Sequence, residues 1–150
     1  MTPSKPYSMT FTIRWTDIDP NWHARHTVYS DCATQVRVSF MGEHGFPVKK
    51  WAELGIGPVV LSEQIDYFKE VTLGESMRID LAMAGLSASR KRFRLRHQIY
   101  KEDGSIAVRI NMTFGWIDLK KRKMIVIDDQ HPVTQVFSQL GKTEDFVDGF

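Results

Sequence analysis

Arg14 to Met41 reads R-W-T-D-I-D-P-N-W-H-A-R-H-T-V-Y-S-D-C-A-T-Q-V-R-V-S-F-M, and the reading of this stretch decides the fold. It opens as the end of an extended segment, turns at Asp19-Pro20-Asn21, and continues with apolar residues at Val28, Cys32, Val36 and Phe40. That four-residue spacing marks one face of a helix. Thr and Val are frequent in it, so its propensity is modest and burial must hold it. Asp17, Asp19, His23 and His26 crowd around the turn. Acidic residues beside a turn commonly bond their own backbone. A helix N-terminus adds unpaired N–H groups and attracts negative charge. Carboxylate, imidazole and free amide donors together can polarise a carbonyl and activate water.

Outward from this stretch the pattern is mostly strand. Before it, Met9, Phe11, Ile13 and Trp15 alternate with polar neighbours over residues 8–15, the period of a half-buried strand. After it, Gly42 and Gly45 end the helix, and Pro47 opens a short second helix over Val48 to Leu54. Gly55 and Gly57 frame a turn before Pro58, where a strand begins. S-M-R-I-D-L-A-M-A alternates again from Ser76. Residues 91–100 and 105–118 form two strands joined at Lys101-Glu102-Asp103-Gly104, a strong hairpin signal. M-I-V-I at 124–127 suits a short last strand, Pro132 onward a closing helix, and the tail from Gly141 shows no pattern and is expected to be loose. One long helix followed by strands joined through tight turns implies an α+β chain, a curved antiparallel sheet wrapped around that helix.

With 150 residues the chain fits a single domain, 1–150, its core running from about 8 to 128. The composition, 42% hydrophobic and 25% charged, is that of a soluble globular protein. A net charge of +2 gives no footprint for nucleic acid. Cys32, the single cysteine, excludes an internal disulfide and a Cys metal pair, and its apolar setting makes it a core residue rather than a nucleophile. The N-terminal M-T-P-S-K-P-Y-S lacks the apolar run of a signal peptide, and no stretch approaches a membrane span. A cytoplasmic protein without metal or bound cofactor is expected.

The pattern resembles the hotdog fold, and specifically the 4-hydroxybenzoyl-CoA thioesterase family of acyl-CoA thioesterases, over roughly residues 8 to 120. That family has a strand, then Asp-x-Asp, then His or Tyr seven residues later and Tyr three beyond, here Asp17, Asp19, His26 and Tyr29. The resemblance implies that Asp19 is the catalytic carboxylate and that the backbone N–H of His26 polarises the thioester carbonyl. It implies a glycine-bearing turn near the thioester at Gly57, within G-I-G-P-V-V. S-R-K-R-F-R-L-R-H is similar to the start of the family's strand that meets coenzyme A phosphates, implicating Arg90, Lys91 and Arg92. Trp22 stands where the family commonly has Gly, and Val28 where it commonly has Asn.

Other residues have plainer expectations. Asp17 should pair with Arg14 or cap the turn, His23 should be a loop surface residue, and Tyr29 should pack with its hydroxyl satisfied. Asp31 is a solvated helix-face residue with a competing claim to be the carboxylate, and Glu63 could face the helix. Arg90, Arg92, Arg94 and Arg96 would share one strand face. The resemblance implies a homodimer or dimer of dimers with shared sites, Asp19 and Gly57 coming from different chains. A hydratase would need Gly-Asp-x-Asn-Pro-x-His, which this chain lacks. A non-catalytic acyl-CoA-binding module and a thioesterase acting on acyl-carrier protein remain as alternatives.

Overall fold

The apolar stripe of the central helix, α1 (His26–Glu43), buries Val28, Tyr29, Ala33, Val36, Phe40 and Met41. In the computed structural model, which describes residues 6–150, a curled antiparallel sheet receives that stripe. The first residues, read above for a leader, lie partly outside those described. The sheet runs in the order β1 (Tyr7–Thr12), β3 (Ser76–Leu86), β4 (Phe93–Tyr100), β5 (Ile106–Asp118) and β2 (Ile56–Tyr67). Burial alternates strictly along β4 and over the middle of β5, and Met77, Ile79 and Leu81 of β3, Phe93, Leu95 and Ile99 of β4, and Val108, Ile110 and Met112 of β5 belong to the core toward α1. These residues and the helix stripe form one continuous apolar core.

The first strand ends at Thr12, and the chain then tightens into a 3-10 turn over Trp15–Asp17. A short helix α2 (Val48–Leu54) follows α1 and ends at Gly55 in the left-handed region. The next strand begins at Ile56, so Gly57 lies inside β2, paired with Ile117, and frames no turn. The hairpin at Asp103-Gly104 forms as expected, with the Asp103 carboxylate accepting from the Ser105 N–H at 2.9 Å and Gly104 at φ 85°. The last strand expected over 124–127 is only the pair β6 (Lys123–Met124), and the closing helix α3 spans Pro132–Phe137.

Two strand edges position everything functional. The outer edge of β2 has no backbone partner among the described residues, although Val60, Leu61, Tyr67 and Phe68 on or beside it are exposed. The other correction concerns the tail. Expected to be loose, it forms β7 (Lys142–Asp148), which pairs in parallel with the distal half of β3. Its polar sequence gives no period, and its strand exists because β1 covers only Ser76–Leu81 of β3 and leaves the rest of that edge open.

Candidate active site

The loop before α1 is clamped at its base by Asp17. That carboxylate accepts from the Arg14 backbone N–H at 2.9 Å and from Arg14 Nε and Nη2 at 3.1 and 3.0 Å, as the sequence suggested. The Arg14 guanidinium and N–H hold the buried Asp17 carboxyl below the usual carboxylate range. The Asp17 carbonyl in turn accepts from the Arg25 N–H at 2.9 Å, tying the strand end to the residue that precedes the helix.

Between these anchors the chain closes a tight loop. Asp19 N–H donates to the His23 carbonyl and Trp22 N–H to the Asp19 carbonyl, each at 3.0 Å. Asp19 Oδ1 accepts from the Asn21 N–H at 2.8 Å, fixing the carboxylate, while Oδ2 lies 3.8 Å from His23 Nδ1. The other ring nitrogen of His23 is 3.6 Å from Glu70 Oε1. His23 is therefore a half-buried imidazole, its Nδ1 3.2 Å from the Ala24 carbonyl and the two carboxylates just beyond hydrogen-bond distance, not the loop surface residue expected. Glu70 is far away in sequence and is brought in by the bridge between His23 and Thr72 and by the Ala24 N–H donating to the Val71 carbonyl at 2.8 Å. No local pattern announces that contact.

At the start of α1, Arg25 Nε donates to Thr27 Oγ1 at 3.0 Å. The first turn carries no acidic residue, and no acceptor among the described residues engages the N–H of His26 or Thr27. Both the donors and the positive end of the helix dipole are therefore free. His26 borders a cleft of about 340 Å³ lined also by His23, Ala24, Tyr29, Tyr67, Phe68, Lys69 and Glu70, while Asp19 is not among its lining residues. Tyr67 of β2 donates its hydroxyl to the His26 carbonyl at 3.4 Å and meets the Tyr29 ring edge-on at 5.9 Å. Tyr29 is buried, and burial pushes its pKa up. Asp31 lies in a different depression beside Phe11, Arg14 and Cys32, away from this cleft. Burial pushes the Cys32 thiol up to about 11, which fits a packing residue.

The remaining sequence candidates sit elsewhere. Gly57 and Tyr67 are ten residues apart on one extended strand, a separation of about 33 Å. Gly57 therefore does not join Asp19 and His26 within one chain. It shares its end of the sheet with Arg90, Lys91 and Arg92, because Gly115, two residues from Gly57's partner Ile117, would press a side chain onto the Lys91 carbonyl. Arg90 lies in a turn at φ 59°, not on a strand face. Its Nη1 meets Asp148 Oδ1 at 2.9 Å and the Ser87 carbonyl at 3.2 Å, while Lys91 and Arg92 are exposed. Arg94 and Arg96 do share the outer face of β4, and both are occupied: Arg94 stacks on the Phe150 ring and Arg96 holds Asp145 through both Nη atoms. Glu63 lies opposite Met112 in the β2–β5 ladder, so it points to the helix side of the sheet, as the sequence allowed. Among the described residues no group of His, Cys, Asp and Glu is arranged to hold a metal ion.

A curled antiparallel sheet wrapped around one long helix is the hotdog fold. Residues 13–138 match the thioesterase-like superfamily, and the chain belongs to it and is a thioester hydrolase. Solved structures share the fold. A hypothetical protein from Staphylococcus aureus in complex with CoA is 22% identical with a TM-score of 0.80, covering 93% of this chain and 87% of that one. A 1,4-dihydroxy-2-naphthoyl-CoA thioesterase from Synechocystis is 16% identical with a TM-score of 0.78, covering 91% and 98%. A DHNA-CoA thioesterase from Staphylococcus aureus is 20% identical with a TM-score of 0.77, covering 88% of each chain. Comparison with curated proteins gives no match. No helix among the described residues is long and apolar enough to cross a membrane.

Proposed function

We propose that this protein is a cytoplasmic acyl-CoA thioesterase, working as a homodimer or dimer of dimers with sites shared between chains. The observation that carries the reading is the start of α1, where the His26 and Thr27 N–H groups have no acceptor among the described residues and where His26 and His23 line one cleft, with Asp19 in the adjoining loop. The thioester carbonyl sits at that helix end, where the His26 N–H stabilises the developing oxyanion. One such donor typically supplies about 3 kcal/mol. Asp19 provides the carboxylate, activating water or attacking the carbonyl carbon directly. The proton that the water releases passes to Asp19 and leaves with the thiol. Repeated turnover in ¹⁸O-water separates the two routes, since direct attack places label in the Asp19 carboxylate as well as in the product acid.

The second chain follows from the length of β2. Gly57 and the Arg90–Arg92 turn lie at one end of that strand and the Asp19–His26 loop at the other. A two-fold axis through the middle of an open antiparallel edge pairs β2 with its copy and exchanges the two ends. Each Asp19 loop then meets the partner's Gly57 and the partner's Arg90. A backbone N–H near Gly57 can complete the oxyanion site, and Arg90, Lys91 and Arg92 can hold the nucleotide phosphates.

The test is thiol release from a panel of acyl-CoAs by the native chain and by Asp19→Asn. Turnover should fall at least a hundredfold in the variant, with unfolding free energy moved by less than about 0.5 kcal/mol because Asp19 lies in a loop. Retention of more than about a third of native kcat would exclude Asp19 as the essential carboxylate. Hydrolysis of acyl-carrier protein with no release from any acyl-CoA would transfer the reading to that donor.

A further inference from the structure

The last nine residues reach the basic turn that the proposed function assigns to coenzyme A, and they reach it with acids. Between Met83 and Gly85, two positions apart on β3, the paired residues of β7 advance from Lys142 to Val147. The intervening segment therefore stands off the sheet as an arch. Asp145 on the arch takes Arg96 through both carboxylate oxygens, at 2.9 and 2.8 Å. Beyond it, Asp148 takes Arg90 at 2.9 Å, and Phe150 lies against the Arg94 guanidinium at 3.7 Å. The docking position is shaped for it: a Cβ on Gly85 would stand 2.9 Å from the Val147 carbonyl oxygen and 3.2 Å from the Phe150 ring.

We propose that the segment Lys142–Phe150 is a built-in competitor for anions at the Arg90 turn, its Asp148 carboxylate occupying the cation that a coenzyme A phosphate would take. The inference rests on the reading of Arg90 and Lys91 as phosphate contacts given above. Lys91 and Arg92 have no ion-pair partner among the described residues, so an arriving phosphate finds free cations beside the occupied one. A phosphate brings more charge and a third acceptor oxygen to the guanidinium than the carboxylate it displaces. Asp148 is well exposed, and such surface pairs are weak. The strap is thus easily exchanged, and its return favours departure of the coenzyme A product.

The experiment titrates the full chain with free coenzyme A at low ionic strength, by calorimetry. Asp148→Asn should bind about threefold more tightly than the native chain, within the roughly fivefold ceiling of an exposed ion pair. Glu144→Gln removes the same charge from an arch residue that holds no cation, and should leave affinity unchanged. Arg90→Ala with Lys91→Ala should weaken binding about tenfold, and Asp148→Asn added to that pair should bring no gain, because its target is gone. If the arginine–lysine variant weakens binding and Asp148→Asn does not tighten it, the competitor idea falls while the phosphate reading stands. Equal tightening by Glu144→Gln overturns it too, as a general charge effect. If Arg90→Ala with Lys91→Ala leaves affinity unchanged, the phosphate reading itself fails, and the competitor fails with it.

Discussion

The two ends of β2 differ in chemistry more than any other pair of regions in the molecule. Around Tyr67 and the start of α1 are carboxylates, imidazoles and acceptor-free amide donors. Around Gly57 are a close backbone approach and a turn of cations, one of them masked by the chain's own tail. On the proposed reading neither end binds and cleaves a charged thioester alone. Their separation, about 33 Å along one strand, prevents a single chain from bringing them together. The contrast explains why the chain leaves a long edge open: on the proposed reading that edge is where each end meets its complement.

The largest effect comes from uncoupling the ends genetically. Asp19→Asn disables one end and Gly57→Leu obstructs the other, where an added side chain would first meet Leu119 Cδ2 at 2.9 Å. The obstacle is the tip of a flexible side chain, so the variant should fold, which thermal unfolding would check. Each homodimer should be inactive. Co-expressed and purified as a mixed dimer through two affinity tags, the pair should place both lesions in one site and leave the other intact, recovering up to about half of native activity. A verified mixed dimer with no recovered activity would break the shared-site comparison, and so would an active monomer in sedimentation.

The two ends were unequally legible in the sequence. Asp19, His26 and Tyr29 stand in one local stretch across a turn and a helix start, so the elements that carry them could be read from the sequence. His23 was misassigned because its environment comes from Glu70 and Thr72, brought in by a single bridge. The cation end was read as a uniform strand face, but Arg90 lies in a left-handed turn and the strand begins at Phe93. Its masking by Asp148 depends on a tail without periodicity, ordered by the open half of β3 and by arginines some fifty residues away. Local pattern identified the helix, the hairpin and the core strands. Contacts made only through tertiary docking left no trace in it.

Between the two ends lies a polar link in the core whose response to pH should be independent of both. His97 is fully buried on β4, where Nδ1–H donates to the Asp80 carbonyl at 2.9 Å and Nε2 accepts from Arg37 at 3.0 Å. Burial, reinforced by the Arg37 charge, pushes its pKa down to about 3 from the ordinary 6.5. The folded form therefore excludes a proton that the unfolded chain binds below pH 6.5. Stability from this group is complete above that pH and is lost as pH falls toward 3. Between pH 7 and pH 5 the loss should be about 2 kcal/mol. Urea unfolding at both pH values would measure it, and His97→Gln, although less stable at pH 7, should lose markedly less over the same interval. An equal slope in both proteins would show that His97 is protonated in the fold or is not its source.

The smallest effect tests a strained residue in the Asp19 loop. Trp22 adopts φ 67°, the left-handed region that a bulky side chain enters at a penalty. Its ring is two-thirds exposed and meets only the edge of the similarly exposed Trp15 ring, at 6.0 Å. Trp22→Gly would relieve about 1–2 kcal/mol of backbone strain. It would forfeit part of that through the greater freedom of glycine in the unfolded chain and the loss of one exposed aromatic contact. The net expectation is a gain of about 0.5 kcal/mol, or a rise in Tm of roughly 1–2 °C. Because Trp22 adjoins His23 in the loop closed by Asp19, kcat/KM across the acyl-CoA panel gives a second readout. A uniform response would mark the tryptophan as a tolerated strain in the Asp19 loop. A loss confined to some acyl groups would show that the strain is maintained for substrate selection. A fall in Tm would mean that the Trp15–Trp22 contact outweighs the strain, and the loop would then be held by its aromatic pair as well as by Asp17 and Arg14.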